Sequence, residues 1–229
     1  MLAALPADEL ERIAPFLSLR SYPLGHVLYD PGEVMTEVYF PEQALLSLLS
    51  LLEDGTLTEI ALVGNEGMVG LPVIWGGQST PQSVTVQFEG EVLVMEAGQL
   101  IQEFNRGSRL TQLLMLYMQA LYTQVAQNAA YNRQHTIEER LARWLLSVQD
   151  SVQRDSLTLT HDFIAKMLGI RRSGVTVAVG VLQQAGMIRY SRGRMAILDR
   201  AGLEAASCEC YRLVQMEYSR LLGSRAAGK

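Results

Sequence analysis

Between residues 97 and 149 the chain holds no proline and only two glycines, Gly98 and Gly107. The stretch before it, residues 22–95, is broken again and again by turn signals. These are Pro23-Leu24-Gly25, Asp30-Pro31-Gly32, Glu53-Asp54-Gly55, Gly64-Asn65-Glu66-Gly67, Gly76-Gly77 and Glu89-Gly90. One kind of layer cannot satisfy both textures, so the chain divides into a strand-rich part and a helical part. β-prone runs lie between the turns, at residues 26–29, 38–40, 60–63, 84–88 and 91–95. Short strands at that spacing read as an all-β sandwich or barrel. Residues 44–52 are Leu-rich enough for a helix, but their place between strands favours a strand. Ahead of them Leu2, Leu5, Leu10, Ile13 and Leu17 recur at helical spacing, and Pro6-Ala7-Asp8-Glu9 resembles a helix start. Residues 1–19 are therefore expected to be helical.

In the uninterrupted stretch, Leu110, Leu114, Tyr117, Leu121 and Val125 form one apolar stripe. This predicts a helix of roughly 25 residues beginning near Ser108. A long helix with a narrow apolar seam commonly pairs with a copy of itself. Packing on the β region is the alternative, and the seam of a homodimer is the favoured reading. The stripe turns polar at Asn128, Asn132 and His135. A second helix is expected over 137–149, with Leu141, Trp144, Leu145 and Val148 inward. No Gly/Ser-rich linker intervenes, so helix joins the two parts.

The formal charge of −5 argues against a polyanionic partner, but the charge is unevenly spread. Residues 1–107 carry three Lys/Arg against 15 Asp/Glu, and residues 108–229 carry 16 against nine. Such asymmetry points to two modules, the second facing a polyanion. Two cysteines, Cys208 and Cys210, cannot form a disulfide framework, and a reducing cytoplasm is the expected location. They lie two apart on an expected C-terminal helix, so they should point in different directions and behave as ordinary thiols. Asp8, Glu9 and Glu11 stand where a secretory signal would be basic. The longest apolar run has nine residues and is interrupted by Ser47 and Ser50, whereas a membrane span needs about 20.

Residues 157–198 read LTLTHDFIAKMLGIRRSGVTVAVGVLQQAGMIRYSRGRMAIL. Thr160 can cap a helix whose first turn holds Asp162. Ile164, Met167 and Leu168 give it an inner face, Ala165 permits close approach, and Gly169 suits the left-handed residue that ends a helix. A second helix is expected from Arg171 to Ala185, with Val175, Ala178 and Leu182 inward. A hairpin follows, turning at Ser191-Arg192-Gly193-Arg194. This is the pattern of a winged helix-turn-helix. Residues 155–200 hold seven Lys/Arg against three Asp/Glu. Arg171 and Arg172 open the second helix, the end that meets base edges in such motifs. An arginine there can bond guanine O6 and N7 together. Arg192 and Arg194 flank the hairpin tip and can neutralise phosphates. Catalysis is not expected, because no HExxH, GxSxG or Walker-type loop occurs and the adjacent Glu138 and Glu139 face apart on a helix.

Together these segments resemble the Crp/Fnr family of bacterial transcription regulators over nearly the whole length. SYPLGHVLYDPGE, residues 21–33, is similar to the family's opening strand and glycine turn. IEERLAR, residues 137–143, is similar to its lead into the DNA-binding domain, and the helix-turn-helix is the most specific match. The resemblance implies an α+β chain in three parts. Residues 1–107 would form a cyclic-nucleotide-binding-type β-roll, 108–136 a dimerisation helix, and 137–229 a winged helix-turn-helix with a C-terminal helix. The implied partners are double-stranded DNA with a near-palindromic site, a second copy of the chain, and RNA polymerase. Neither a membrane nor a cofactor is expected, and the sequence does not name the small-molecule effector.

The departures from the family carry information of their own. Where cyclic-nucleotide binders place a ribose-binding glutamate and a phosphate-binding arginine, this chain has Met68 and Gln82, with Ser83 retained. A buried phosphate without its cation is poorly compensated, so cyclic AMP is not expected to bind. No cysteine precedes Cys208, which excludes the family's N-terminal iron–sulfur cluster. Haem stays open only through His26, a lone histidine more readily explained as a surface residue. No metal site is expected. Arg172 matches the first base-reading residue of the family's namesake, while Ser173 and Val177 replace a glutamate and a second arginine, so the target should differ. Thr160, His161, Lys166, Arg171 and Thr176 are further candidates for phosphate or base-edge contacts. A haem- or redox-responsive sensor acting through protein contacts is the alternative function.

Overall fold

The structure, a computed structural model, describes residues 1–53 and 57–223, and within these all side chains except those of residues 130–134. Asp54 and Gly55 of the expected turn, and the Asn132 side chain, lie outside the described residues. The chain runs α1 (Ala7–Ile13), β1 (Ser18–Tyr22), β2 (Val27–Tyr29), β3 (Glu37–Pro41), β4 (Leu45–Leu51), β5 (Leu57–Val63), β6 (Gln82–Phe88), β7 (Gly90–Glu96) and α2 (Ala97–Asn105). It continues with α3 (Arg109–Gln134), α4 (Ile137–Val152), β8 (Ser156–Thr158), α5 (His161–Leu168), α6 (Arg172–Gln184), β9 (Ile188–Ser191), β10 (Arg194–Ile197), α7 (Arg200–Ala206) and α8 (Glu209–Leu222). Among the described residues three antiparallel sheets form, in the orders β1-β7-β3, β2-β6-β4-β5 and β8-β10-β9.

The first two sheets enclose one core, in which Val38, Phe40, Leu46, Val84, Val86 and Val94 meet α3. The Leu-rich run is a strand, as its position suggested. It carries leucines on both faces because both are covered. Leu46 joins the core of the roll, while Leu45 and Leu49 join a second core with α4 and the helix-turn-helix.

The N-terminus departs from the expected helix. Only Ala7–Ile13 is α-helical, flanked by single 3-10 turns, and Pro15 lies in the second of these. Ser18 and Leu19 already belong to β1 and pair with Val94 and Leu93 of β7. Ladder bonds to β7 are available there, and tertiary pairing outweighs the weak local helical preference. The short helix has a separate use. The Glu9 carboxylate accepts from the backbone N–H of Arg109 at 2.9 Å and of Leu110 at 3.1 Å, and from Ser108 Oγ at 2.9 Å. It thus supplies acceptors for donors left open at the start of α3.

The long helix lies where its stripe predicts, but its stripe faces inward. Leu110, Leu114, Tyr117 and Leu121 are buried within the single chain against the roll, and Val125 packs beside them. Tyr117 also donates to the Met68 carbonyl at 2.9 Å. Leu110, Leu114, Tyr117 and Leu121 are therefore core of the single chain and not the expected dimer seam, because the roll already takes the apolar area that a second copy would have covered, while Val125 is only partly buried. The outward row is Met115, Tyr122, Ala126 and Ala129. On another side, α8 runs along α3, with Gln119 Nε2 donating to Glu217 at 3.1 Å.

α4 begins with a reciprocal cap between Thr136 and Glu139. It packs on both β4 and β5 of the roll and on α6 and α7 of the C-terminal part. Trp144 Nε1 donates to Glu59 of β5 at 3.0 Å, so one buried hydrogen bond crosses between the two parts.

Candidate nucleic-acid interface

Thr160 caps α5 by accepting from Phe163 N–H at 3.2 Å. At the other end Gly169 has φ +61°, and the Ile170 N–H bonds the Ala165 carbonyl at 3.0 Å. That left-handed residue turns the chain so that Ile164, Ala165 and Leu168 meet Val175, Ala178 and Leu182 of α6. Burying those residues leaves Arg171, Arg172, Ser173, Thr176 and Val177 on the exposed face of α6. Val177 is 62% exposed although apolar, and no core need accounts for it.

The hairpin of β9 and β10 turns through Arg192 at φ +49° and Gly193 at φ +78°. Two successive positive φ values are the tight hairpin geometry that matches strand twist. The Leu159 N–H bonds the Gly193 carbonyl at 2.8 Å, which ties the hairpin tip to the residue before the Thr160 cap. His161 Nδ1 lies 3.0 Å from Thr176 Oγ1, and its ring stacks on Tyr190 at 4.6 Å. Arg172 pairs with Asp162 at 3.1 Å. These links bring the start of α5, the first half of α6 and the hairpin onto one surface.

Of the ten residues expected here, Thr160, Lys166, Arg171, Arg172, Ser173, Thr176, Val177, Arg192 and Arg194 are exposed, and His161 is half-buried. Burial, reinforced by the neighbouring Arg172 charge and opposed by Asp162, holds the His161 pKa below its usual value. That shift favours the neutral ring, which stacks on Tyr190 and lies within hydrogen-bond distance of Thr176. Sequence reasoning missed Arg189 and Tyr190. Arg189 lines a concavity of about 560 Å³ with Ser156, Ser191, Arg192 and Arg194. Its charge was visible in the sequence, but its place beside the hairpin tip requires the strand register.

The roll holds a second concavity, of about 530 Å³. Met68 and Gln82 line it, together with Tyr29, Leu71, Trp75 and, from α3, Leu121 and Tyr122. No charged side chain is among the described lining residues. Ser83 is buried outside this lining, and His26 is exposed against Tyr22.

Cys208 and Cys210 do not point apart. Cys208 is the extended residue before α8 and Cys210 lies in its first turn, so helical spacing does not separate them. Their sulfurs and a His135 ring nitrogen all lie within 4.8 Å of one another. Burial, with Cys208 close by, pushes the Cys210 thiol up to about 11.

A β-roll with a concavity against the long helix, joined through that helix to a winged helix-turn-helix with an outward basic face, defines a two-part transcription regulator. Residues 19–106 match the cyclic nucleotide-binding domain, and residues 139–206 match the Crp-like helix-turn-helix domain. The chain belongs to the Crp/Fnr family of transcription regulators. It is 24% identical over 198 residues to the transcriptional regulator LdrP of Thermus thermophilus, a match covering 81% of this chain and 95% of the relative. Its fold is similar to that of FixK2 from Bradyrhizobium japonicum, with a TM-score of 0.72 at 17% identity over 84% of this chain and 98% of the other. It is also similar to the c-di-GMP responsive global regulator CLP of Xanthomonas campestris, with a TM-score of 0.70 at 15% identity over 84% and 99%. Among the described residues no helix is long and apolar enough to cross a membrane.

Proposed function

We propose that this protein acts in the cytoplasm as a homodimer that binds a near-palindromic DNA site sequence-specifically and is not controlled by cyclic AMP. The observation that carries the reading is the exposed row on α6, Arg171 to Val177, flanked by the Arg192–Arg194 hairpin. Arg172 reads a guanine edge, Val177 meets a thymine methyl, and the hairpin arginines hold phosphates. Two copies related by a two-fold axis set their recognition helices about 34 Å apart. The face of α3 that supports pairing is the outward one: Met115, Tyr122, Ala126 and Ala129 recur at spacings suited to a coiled seam, and the alanines permit close approach.

The cavity supports the second half of the reading. A cyclic phosphate would sit beside Met68 and Gln82 with no cation in the lining, and its desolvation would go uncompensated. An effector that does bind there is uncharged and largely apolar, and α3 would sense it directly through Leu121 and Tyr122. The regulator's output passes through DNA and, on a promoter, RNA polymerase.

Selection of bound sequences from a random DNA pool by the ligand-free protein tests this. A near-palindromic consensus is expected, with binding lost in Arg172→Ala. Absence of any consensus at moderate salt would refute ligand-independent recognition. Micromolar binding of cyclic AMP by calorimetry would refute the claim about the cavity.

A further inference from the structure

His135, Cys208 and Cys210 belong neither to the basic surface nor to the cavity. His135 sits in the short link between α3 and α4. The two cysteines stand at the start of α8, and Cys210 lies 75 positions further along the chain than His135. Folding brings them together all the same. His135 Nε2 is 3.6 Å from Cys210 Sγ, and all three donor atoms lie within 4.8 Å of one another. The thiols are each 4% exposed and pack against one another in a cluster separate from both apolar cores. The other ring nitrogen, Nδ1, is 3.6 Å from a Glu139 carboxylate oxygen.

We propose that His135, Cys208 and Cys210 bind one thiophilic divalent metal ion of the zinc class. One imidazole and two thiols form the borderline-soft donor set that zinc takes and that magnesium and calcium do not. With zinc–nitrogen and zinc–sulfur bonds of about 2.0 and 2.3 Å, tetrahedral geometry puts nitrogen and sulfur about 3.5 Å apart and the two sulfurs about 3.8 Å apart. The His135–Cys210 pair already has that separation, and the remaining pairs, all within 4.8 Å, need to close by at most about 1 Å between the sulfurs and about 1.3 Å between nitrogen and sulfur. Three protein ligands leave the fourth corner to a water molecule. The second ring nitrogen faces a carboxylate 3.6 Å away, the group that orients a metal-bound histidine once the contact closes to a hydrogen bond. Each cysteine binds as thiolate and gives its proton to solvent as the ion enters.

The placement gives the ion a mechanical role. It would tie the α3–α4 link, which carries the DNA-binding part, to the first turn of α8, which runs back along α3. The metal site is nonetheless read without DNA, so its fate is independent of the regulator reading.

The test is a cobalt(II) titration of the reduced, chelator-stripped full-length protein. The expected result is saturation at one equivalent, with thiolate-to-cobalt charge-transfer absorption and the visible bands of a tetrahedral site, all displaced by zinc. Cys208→Ser combined with Cys210→Ser should abolish the charge-transfer band. Glu139→Gln, which leaves the three ligands in place, should weaken binding by about 10- to 100-fold. Zinc should raise the melting temperature of the wild type and leave that of the double variant unchanged. Circular dichroism of each variant separates loss of ligand from loss of fold, and the wild-type spectrum requires no variant at all. A wild-type protein without charge-transfer absorption, or a folded double variant that retains it, overturns the proposal.

Discussion

Arg172 keeps 66% of its side chain in solvent while holding Asp162 at 3.1 Å. An ion pair so exposed is worth about 0–1 kcal/mol, so a guanine edge can take Asp162's place at little cost. Arg172→Ala should therefore cost about 1–3 kcal/mol on the preferred site and relax specificity at one base position. Arg192→Ala, at the hairpin tip, should instead weaken all sequences alike and lower the salt slope by about 1. Fluorescence anisotropy across a salt series distinguishes the two; identical slopes and identical specificity loss would contradict the division of roles. Gly169 makes a third residue-scale case. Its φ of +61° and the Thr58 Oγ1 that an added Cβ would meet at 3.2 Å make Gly169→Ala destabilising, by about 1–2 kcal/mol from backbone strain alone. Chemical denaturation measures it. This glycine was legible in the sequence because local backbone geometry demands it. The Arg172–Asp162 pair and the His135–Cys208–Cys210 cluster were not legible, because both depend on where separate elements come to rest. The cysteines also misled, since spacing of two implies divergence only when both residues are helical.

Element by element, hydrophobic period located α3, α4, α5 and α6 well and located their partners poorly. A 3.6-residue stripe says that one face of a helix is buried, not what buries it. On α3 the stripe of Leu110, Leu114, Tyr117 and Leu121 meets the roll, while the outward row begins with Met115 and Tyr122, at 54% and 75% exposure. The two faces predict opposite phenotypes. Leu114→Ala should cost the folded chain about 2–5 kcal/mol, the penalty for a large-to-small change in a packed core. Tyr122→Glu should leave monomer stability nearly unchanged and dissociate the proposed dimer. Sedimentation velocity and denaturant titration on both variants test the pairing face; a Tyr122→Glu protein that remains dimeric would move the seam elsewhere. The N-terminal misreading has the same origin. Leu10 and Leu17 fit a helical period, but Pro15 and the edge offered by β7 end the helix at Ile13. The reverse happened in β4, where neighbouring strands settled an ambiguous Leu-rich run correctly.

At the scale of the whole molecule, the roll and the DNA-binding part meet around a carboxyl group that the sequence presents as an ordinary strand residue. Glu59 lies in β5 among β-prone neighbours, and nothing local marks it as buried. In the fold it is covered by α4, from which Trp144 Nε1 donates to one oxygen at 3.0 Å, while Ser47 Oγ of the neighbouring β4 donates to the other at 2.8 Å. Burial pushes its pKa from 4.5 up to about 8, against the opposing effects of those two hydrogen bonds and the Arg143 charge. Between those two values the folded chain holds a proton that the unfolded chain has released. Stability should accordingly be greatest below pH 4.5 as far as this group is concerned, fall as pH rises through about 8, and level off above it. The slope within the window is at most roughly 1.4 kcal/mol per pH unit for one proton. Glu59→Gln keeps the shape and an amide able to bond Ser47 and Trp144, but cannot ionise. Urea denaturation of wild type and variant across the range should give curves that converge below about pH 4.5 and separate progressively as pH rises to about 8, the variant being the more stable. Because Trp144 reports from the same contact, its fluorescence in the native protein should also titrate near pH 8 in the wild type and not in the variant. Parallel stability curves with a flat Trp144 signal would mean that Glu59 carries its charge throughout, and that the two parts meet across an ion pair with Arg143 instead of a neutral hydrogen-bonded seam.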